Sequence, residues 1–403
     1  MSVLNILEEK LAETKKQGRF REFLNLERGV QDKPWATSHG HHGERRLNVW
    51  CSNDYLAMSH HPKVLLATTE AVNRVGLGTC GARSISGTSV YHSELETLLA
   101  SAYGKESALL FTTGFGANDA TLSTLCDAIP DLIVFSDELN HASMIYGIRY
   151  SKAEKKIFRH NDVAHLAELL QAADPARPKL IAFESLYSMD GDFAPLAQIV
   201  ALAEQYQALT YLDEIHSAGV YGERGLGYAE QLGLLDKITI IQGGFGKSYG
   251  AAGGYIAAPR SVVEAVRSWA PAFVFSTSSP APVVAAALAS FKYNLEHDTQ
   301  RKHLLAIVDH LKTGLRAAGI PLVSADSHIL PLRVGDPHRN KHISKVLLDE
   351  HDIYVQPVNA PTVPAGSERL RVTPTSAHSH ADVETFLAAL GRVWAANDLR
   401  RAG

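Results

Sequence analysis

Cysteine is scarce in this 403-residue chain: Cys51, Cys80 and Cys126 are the only three. An odd number, at spacings that match no metal pattern, speaks against a disulfide framework and fits a reducing compartment. Long apolar runs are missing too, so no segment reaches the length of a membrane span. The N-terminus, "MSVLNILEEKLAETKKQGRFREF", mixes charge with apolar residues at helical spacing. It has neither the apolar block of a signal peptide nor the acid-poor character of a transit peptide. A cytoplasmic location is the expectation. Charge of one sign is also lacking: 39 basic against 43 acidic residues leave a net charge of −4. That balance favours neither nucleic acid nor an anionic membrane as partner. Low-complexity tracts and internal repeats are absent.

What is present is an ordinary soluble composition, 45% hydrophobic and 20% charged, in a chain long enough for more than one lobe. Histidines are numerous but scattered: His39, His41 and His42 in one loop-like stretch, then His60-His61, and later His378 and His380. His338 and His342 have H-x-x-x-H spacing, but "DPHRNKH" reads as a turn running into a helix, so no metal is expected.

The middle of the chain alternates short apolar runs with longer amphipathic stretches. The runs are "ALLFTT" (108–113), "LIVFSD" (132–137), "KLIAFES" (179–185), "ALTYLDE" (208–214), "ITIIQ" (238–242) and "GGYIAA" (253–258). Such a pattern predicts an α/β fold with a mostly parallel sheet covered on both faces, whose carboxyl-terminal strand ends face a ligand crevice. After about residue 280 an Ala-rich helix leads into a texture of short strands and helices, which predicts a small α+β domain. The expected division is an N-terminal arm at 1–60 that packs back on both lobes, a large domain at 61–285 and a small domain at 286–403.

One stretch focuses the chemistry: "IQGGFGKSYGAAGGYIAA", residues 241–258. Gly246-Lys247-Ser248 ends like a phosphate-binding P-loop, but the first glycine of that loop would fall at Ile241, and a β-branched residue cannot replace it. Two readings of Lys247 remain, a solvated lysine at a strand end or a Schiff-base amine awaiting a carbonyl. A pyridoxal phosphate aldehyde would need such an amine, a carboxylate for its ring nitrogen, a flat stacking partner, and N–H groups and hydroxyls near a helix start for its phosphate. "FTTGFGAND" offers Thr113, Gly114 and Phe115 for the phosphate, and "SDELNHAS" offers His141 for the ring. "YLDEIHSAG" offers Asp213 for the nitrogen and His216 for the phenolic oxygen. A lone strand-end Asp is often a helix cap and a lone His is usually structural. Four such groups at successive strand ends are harder to assign to chance.

The chain resembles the α-oxoamine synthases, pyridoxal-phosphate enzymes of the fold-type-I, aspartate aminotransferase-like architecture. Within that family it is most similar to the 5-aminolevulinate synthases. The resemblance runs in order from residue 18 onward through "GRFREF", "VWCSNDYLAM", "ISGTSVYHSELE", "SDELNHASMI", "KKIFRHND", "FESLYSMDGD", "TYLDEIHSAGVYG", "FVFSTS" and "YVQPVNAPTVPAGSERLRVTP". It implies a large domain with a mostly parallel seven-stranded sheet and a small α+β C-terminal domain. By the same resemblance Lys247 binds the cofactor and takes the α-proton, Asp213 and His216 hold the ring, His141 stacks on it, and Ser188 lies close by. Ser276 and Thr277 would reach the phosphate across a homodimer with shared active sites. Arg371 and Asn53 would hold the amino acid's carboxylate. Arg21 and Thr362 match the residues that take the carboxylate of succinyl-CoA, and Lys155 matches a position near the CoA. Ala82, Ser84, Ile85 and Ser136 complete the implied substrate contacts.

The implied reaction is condensation of glycine with succinyl-CoA, with loss of CoA and carbon dioxide, to give 5-aminolevulinate. Three positions depart from the usual pattern of those synthases. Ala82 and Ser84 replace a Thr and an Asn, which implies room for a larger amino acid such as alanine or serine, or another acyl-CoA. Gly244 replaces a Thr that binds phosphate. "GFGKSYG" itself is closer to the 8-amino-7-oxononanoate synthase branch. An aminotransferase-like or non-catalytic cofactor binder would leave the acyl-side matches without a purpose.

Overall fold

The computed structural model describes residues 3–40 and 43–397; His41 and His42 lie outside the described residues. Contacts divide the chain into two compact units, one of residues 54–188 and 193–301, the other of residues 1–53, 189–192 and 302–403.

The larger unit is built on a seven-stranded sheet: β1 Ser107–Phe111, β2 Ile133–Asp137, β3 Glu154–Phe158, β4 Lys179–Glu184, β5 Leu209–Asp213, β6 Ile240–Gly244 and β7 Gly254–Ala258. Their spatial order is β1-β7-β6-β5-β4-β2-β3. All neighbours pair in parallel except β7, which runs antiparallel to both β1 and β6. The continuous apolar runs have a simple cause, since alternate residues enter two separate cores. Ile133, Phe135, Ile181, Phe183, Leu212 and Ile241 pack on one face. Val134, Leu180, Ala182, Tyr211 and Ile240 pack on the other. A sheet covered on both sides needs near-continuous apolar runs, because alternate residues face one core or the other.

Six of these strands match the apolar runs of the sequence. The seventh, β3, is "EKKIF", whose first two residues are exposed. It is an edge strand, where charged side chains blunt further pairing, so its hydrophobic signal is weak. The helix Ala281–Glu296 buries Ala281, Val284, Ala285, Ala287 and Phe291. It packs against the helix Pro62–Val75 and contributes to the first core. For that reason the unit runs on to residue 301, whereas the sequence reading set a boundary at 285.

In the smaller unit, Leu330–Arg333, Arg369–Val372 and Gln356–Val358 form an antiparallel sheet with Arg369–Val372 in the middle. A second sheet joins Leu26–Glu27, Trp35–Gly40, Gly43–Val49 and Ile353–Tyr354. Their core holds Trp50, Ile307, Leu311, Leu330, Leu370, Phe386 and Trp394. The Trp50 ring stacks on Phe386 at 4.4 Å and lies 4.1 Å from His378. The N-terminal helix forms at Val3–Lys16, but none of its residues is buried. Its apolar residues Val3, Leu4, Leu7 and Leu11 stay exposed, whereas Leu47, Val49 and Trp50 further along the segment are buried. Residues 189–192 join this unit through Asp190, whose Oδ1 accepts from Arg369 Nη1 at 2.7 Å.

Candidate active site

Strand β5 delivers Asp213 to a buried position at its carboxyl end, 2% exposed. Its Oδ1 accepts from the Ile215 backbone N–H at 2.8 Å. Its Oδ2 accepts from Asn118 Nδ2, also at 2.8 Å. Burial raises the carboxyl pKa, while these two hydrogen bonds, and then the His141 and Lys247 charges, pull it back down. Asn118 is held in turn, because its Oδ1 accepts from Tyr211 OH at 2.7 Å and its Nδ2 also donates to Ser143 Oγ at 3.0 Å.

Ser143 passes the network to His141. The Ser143 backbone N–H donates to His141 Nδ1 at 3.2 Å, and Ser143 Oγ lies 2.7 Å from the same nitrogen. A nitrogen that accepts an N–H carries no proton, so the geometry assigns the neutral ring's proton to Nε2. Burial lowers the His141 pKa, opposed by the Asp213 carboxylate and assisted by the Lys247 cation. The His141 backbone N–H donates to Glu184 Oε1 at 2.6 Å at the end of β4. Burial, then the neighbouring Asp213, pushes the Glu184 carboxyl well above its ordinary range.

His216 is buried, with Nδ1 2.8 Å from Tyr55 OH. Lys247 lies beyond the end of β6 and is half-buried. Its carbonyl accepts from the Gly250 N–H at 2.9 Å, closing a turn. Its charge acts on His141, Glu184 and Asp213 together. The helix Gly114–Ala128 starts at Thr113, whose side chain accepts from the Gly116 N–H at 2.9 Å. Free N–H groups and the helix dipole make such a start suited to an anion. A Cβ on Gly254 would lie 2.5 Å from the Thr113 carbonyl oxygen, so backbone packs on backbone there. Phe115 is 47% exposed and turns its ring edge toward His141, with centroids 6.4 Å apart. Ser188 is half-buried.

Elsewhere in this unit, Thr277 forms an antiparallel bridge with Ala82, and the Ser278 N–H donates to the Gly81 carbonyl at 2.9 Å. "FSTS" therefore lies along "CGARSISG". Ser276 Oγ donates to the Ala272 carbonyl at 2.6 Å. His92 Nε2 lies 2.9 Å from Ser278 Oγ, and burial with the nearby Arg83 pulls its pKa down to about 4. Ser84 and Ile85 are exposed, Ile85 by 71%, whereas Ala82 is half-buried. Two implied substrate contacts are otherwise engaged. Ser136 is buried inside β2, accepting from Asn140 Nδ2 at 2.9 Å. Lys155 Nζ donates to the carbonyls of Arg149 and Ser151 at 2.8 and 3.1 Å, just beyond the helix Ala142–Arg149.

The smaller unit brings together two pairs that the sequence separates by more than three hundred residues. Arg371 Nη1 donates to Asn53 Oδ1 at 3.0 Å. Arg371 is fixed in the middle strand of its sheet, and the Thr373 N–H donates to the Trp50 carbonyl at 2.7 Å, aligning the two segments. Arg21 Nη2 donates to Thr362 Oγ1 at 3.0 Å, with both residues exposed. Lys341 Nζ, donating to the Phe20 carbonyl at 2.6 Å, and Asn359 Nδ2, donating to the Gly18 carbonyl at 3.2 Å, hold the Arg21 segment in place. Tyr55, Asn118, Ser143 and Tyr211 are polar residues of the larger unit's network or beside it that the sequence reading did not single out, although all four stand inside stretches it used.

Residues 46–390 match the aminotransferase class I and II family. The 5-aminolevulinate synthase of Rhodobacter capsulatus is 49% identical over 395 residues, 96% of this chain and 95% of that protein. That of Paracoccus denitrificans is 49% identical over 401 residues, 98% of each. Among solved structures, a serine palmitoyltransferase of Sphingomonas wittichii superposes with a TM-score of 0.91 at 31% identity, covering 99% of both chains. The chain belongs to the aminotransferase class I and II family and, within it, to the α-oxoamine synthases, with their fold-type-I architecture.

Proposed function

We propose that the chain is a 5-aminolevulinate synthase, joining glycine to succinyl-CoA for a tetrapyrrole or a specialised pathway. The glycine α-carbon bonds to the succinyl carbonyl carbon, the thioester C–S bond breaks to release CoA, and the glycine carboxyl leaves as carbon dioxide. The observation that carries the reading is the Arg21–Thr362 contact, because it joins the two residues assigned to the succinyl carboxylate.

The larger unit has the donor set for pyridoxal phosphate: a buried carboxylate, a neutral imidazole, a lysine and a capped helix start. When bound, that group supplies an aldehyde for amines and an electron sink for the carbanion left by proton loss. Asp213 holds a proton on the ring nitrogen, and Asn118 and the Ile215 N–H fix the orientation of its carboxylate. His216, oriented by Tyr55, would take the phenolic oxygen, and His141 would stack on the ring, with Ser188 beside it. Thr113, Gly114 and Phe115 receive the phosphate at the helix start. Lys247 Nζ is the covalent anchor and the base for the glycine α-proton.

In the smaller unit Arg371, steadied by Asn53, binds the amino acid's carboxylate through charge-assisted hydrogen bonds. Arg21 and Thr362 take the far carboxylate of the acyl group. Lys155 lies toward the CoA, and Ala82, Ser84 and Ile85 line the substrate side. The reading includes a homodimer in which Ser276 and Thr277 serve the phosphate of the neighbouring subunit, and a cytoplasmic location in keeping with the scarcity of cysteine. Among the described residues, no helix is long and apolar enough to cross a membrane.

The test is thiol release. Purified protein with succinyl-CoA and glycine should release CoA and form 5-aminolevulinate, identified by mass. Release with alanine or serine but not glycine would move the reading to a sister synthase. No release with any of the three amino acids would refute it.

A further inference from the structure

Three elements of the cofactor site converge on one side chain that the reaction does not use. Ile215 stands between Asp213 and His216, and its N–H holds the Asp213 carboxylate at 2.8 Å. Its Cδ1 reaches into a slot walled by two glycines. A Cβ on Gly114, at the start of the helix Gly114–Ala128, would lie 2.6 Å from Ile215 Cδ1. A Cβ on Gly244, at the end of β6, would lie 2.7 Å from the same atom and 2.9 Å from Ile215 Cγ1. Neither glycine has a positive φ, so the side chain at 215, and not backbone conformation, accounts for the absence of a Cβ.

We propose that Ile215 is the positioning residue of the cofactor site, a spacer that sets the distance between the phosphate-binding helix start and the strand that leads to Lys247. The inference rests on the pyridoxal phosphate reading above. A β-branched side chain is stiff at χ1, so Ile215 Cγ1, 2.9 Å from a carbon added at 244, cannot turn aside as its Cδ1 can about χ2. A methyl group added at 244 must therefore move the side chain, and with it the peptide that anchors Asp213, or push the strand end away from the helix. Both displacements alter the cofactor's seat, because they separate the groups that hold its nitrogen, its phosphate and its aldehyde.

The test is a double-mutant cycle of Gly244→Ala and Ile215→Ala, read by pyridoxal phosphate affinity. Apoprotein of each of the four forms is titrated with pyridoxal phosphate and followed by absorbance, and the thermal midpoint of each apoprotein is recorded beside it. Gly244→Ala should weaken the affinity by about tenfold or more when residue 215 is Ile, a loss equivalent to about 1.4 kcal/mol. With Ala at 215 the same substitution should change it by less than about twofold, since the clashing atoms are gone. The pH at which the bound cofactor changes colour should shift in the Gly244→Ala protein and return in the double variant, which lost fold stability alone would not produce. An equal loss in both backgrounds, or unchanged affinity in Gly244→Ala, would overturn the proposal. Failure of the unaltered protein to bind pyridoxal phosphate at all would instead overturn the functional reading beneath it. Should Gly244→Ala not fold, Gly114→Ala in the Ile215 and Ile215→Val backgrounds asks the same question of the other wall. Val lacks Cδ1, and the next atom of Ile215 lies 3.9 Å from the added Cβ. Recovery of affinity with Val is the expected result, and its absence would count against the spacer.

Discussion

The two units hold their functional groups in different ways. In the larger one, the groups stand at or just beyond successive strand ends and share one buried network, from Tyr211 through Asn118 to Asp213, Ser143 and His141. In the smaller one they stand as separate pairs, Arg371 with Asn53 and Arg21 with Thr362, each joined by a hydrogen bond between residues more than three hundred positions apart. A network in a low-dielectric interior polarises and orients its members collectively, so losing one disturbs all of them. A pair at the surface, such as Arg21 with Thr362, acts locally. Cofactor chemistry is therefore expected to fail globally when a member is removed, and substrate recognition to fail one carboxylate at a time.

The largest break should come from Lys247→Ala, which removes anchor and base together and should reduce thiol release by at least about a thousandfold. Arg371→Lys keeps the charge but loses the planar fork, so KM for glycine should rise by on the order of a hundredfold, measured at saturating succinyl-CoA. Unchanged glycine KM would detach Arg371 from the carboxylate. Asn118→Ala leaves Asp213 with the Ile215 N–H alone among these two donors, and an Asp213 that holds its charge less well should grip the ring nitrogen less. Cofactor affinity should fall by about tenfold, the effect of one hydrogen bond to a charged group, while glycine and succinyl-CoA KM values move little.

A different kind of effect is one of pH on stability and belongs to the smaller unit's core. Burial pulls the His378 pKa down to about 4 from 6.5, so His378 folds neutral. A group whose folded pKa is depressed contributes stability that is present above 6.5 and is lost as pH falls toward 4. The loss should be on the order of 3 kcal/mol. His378→Gln should flatten the decline in thermal midpoint over that window, and an equally steep decline would show that His378 does not carry it.

The same contrast explains what could be read from the sequence. The placement of Asp213, His141, His216 and Lys247 at or just beyond strand ends was legible because parallel strands put their carboxyl ends on one side and the chain visits them in order. Asn118 was not, since an Asn within a helix reads as surface and its partner Asp213 lies 95 residues away. The strand β3 escaped for a related reason, as an edge strand needs no continuous apolar run. Arg21 is one exposed charge among many, and only the resemblance linked it to Thr362. Nothing in the composition of residues 189–192 marked them as belonging with the smaller unit, because that association rests on the Asp190 ion pair and on bonds to the Met189 and Gly191 carbonyls, which any residue type supplies. Ile215 looked like an ordinary apolar residue, and its meaning came from the two glycines it faces.

The proposed division between a cofactor unit and a carboxylate-reading unit is tested most directly by acyl-chain discrimination in Arg21→Ala. The ratio of kcat/KM for succinyl-CoA to that for butyryl-CoA, which lacks the far carboxylate, should fall by about tenfold or more, with pyridoxal phosphate affinity unchanged. An undiminished preference for succinyl-CoA would contradict the account.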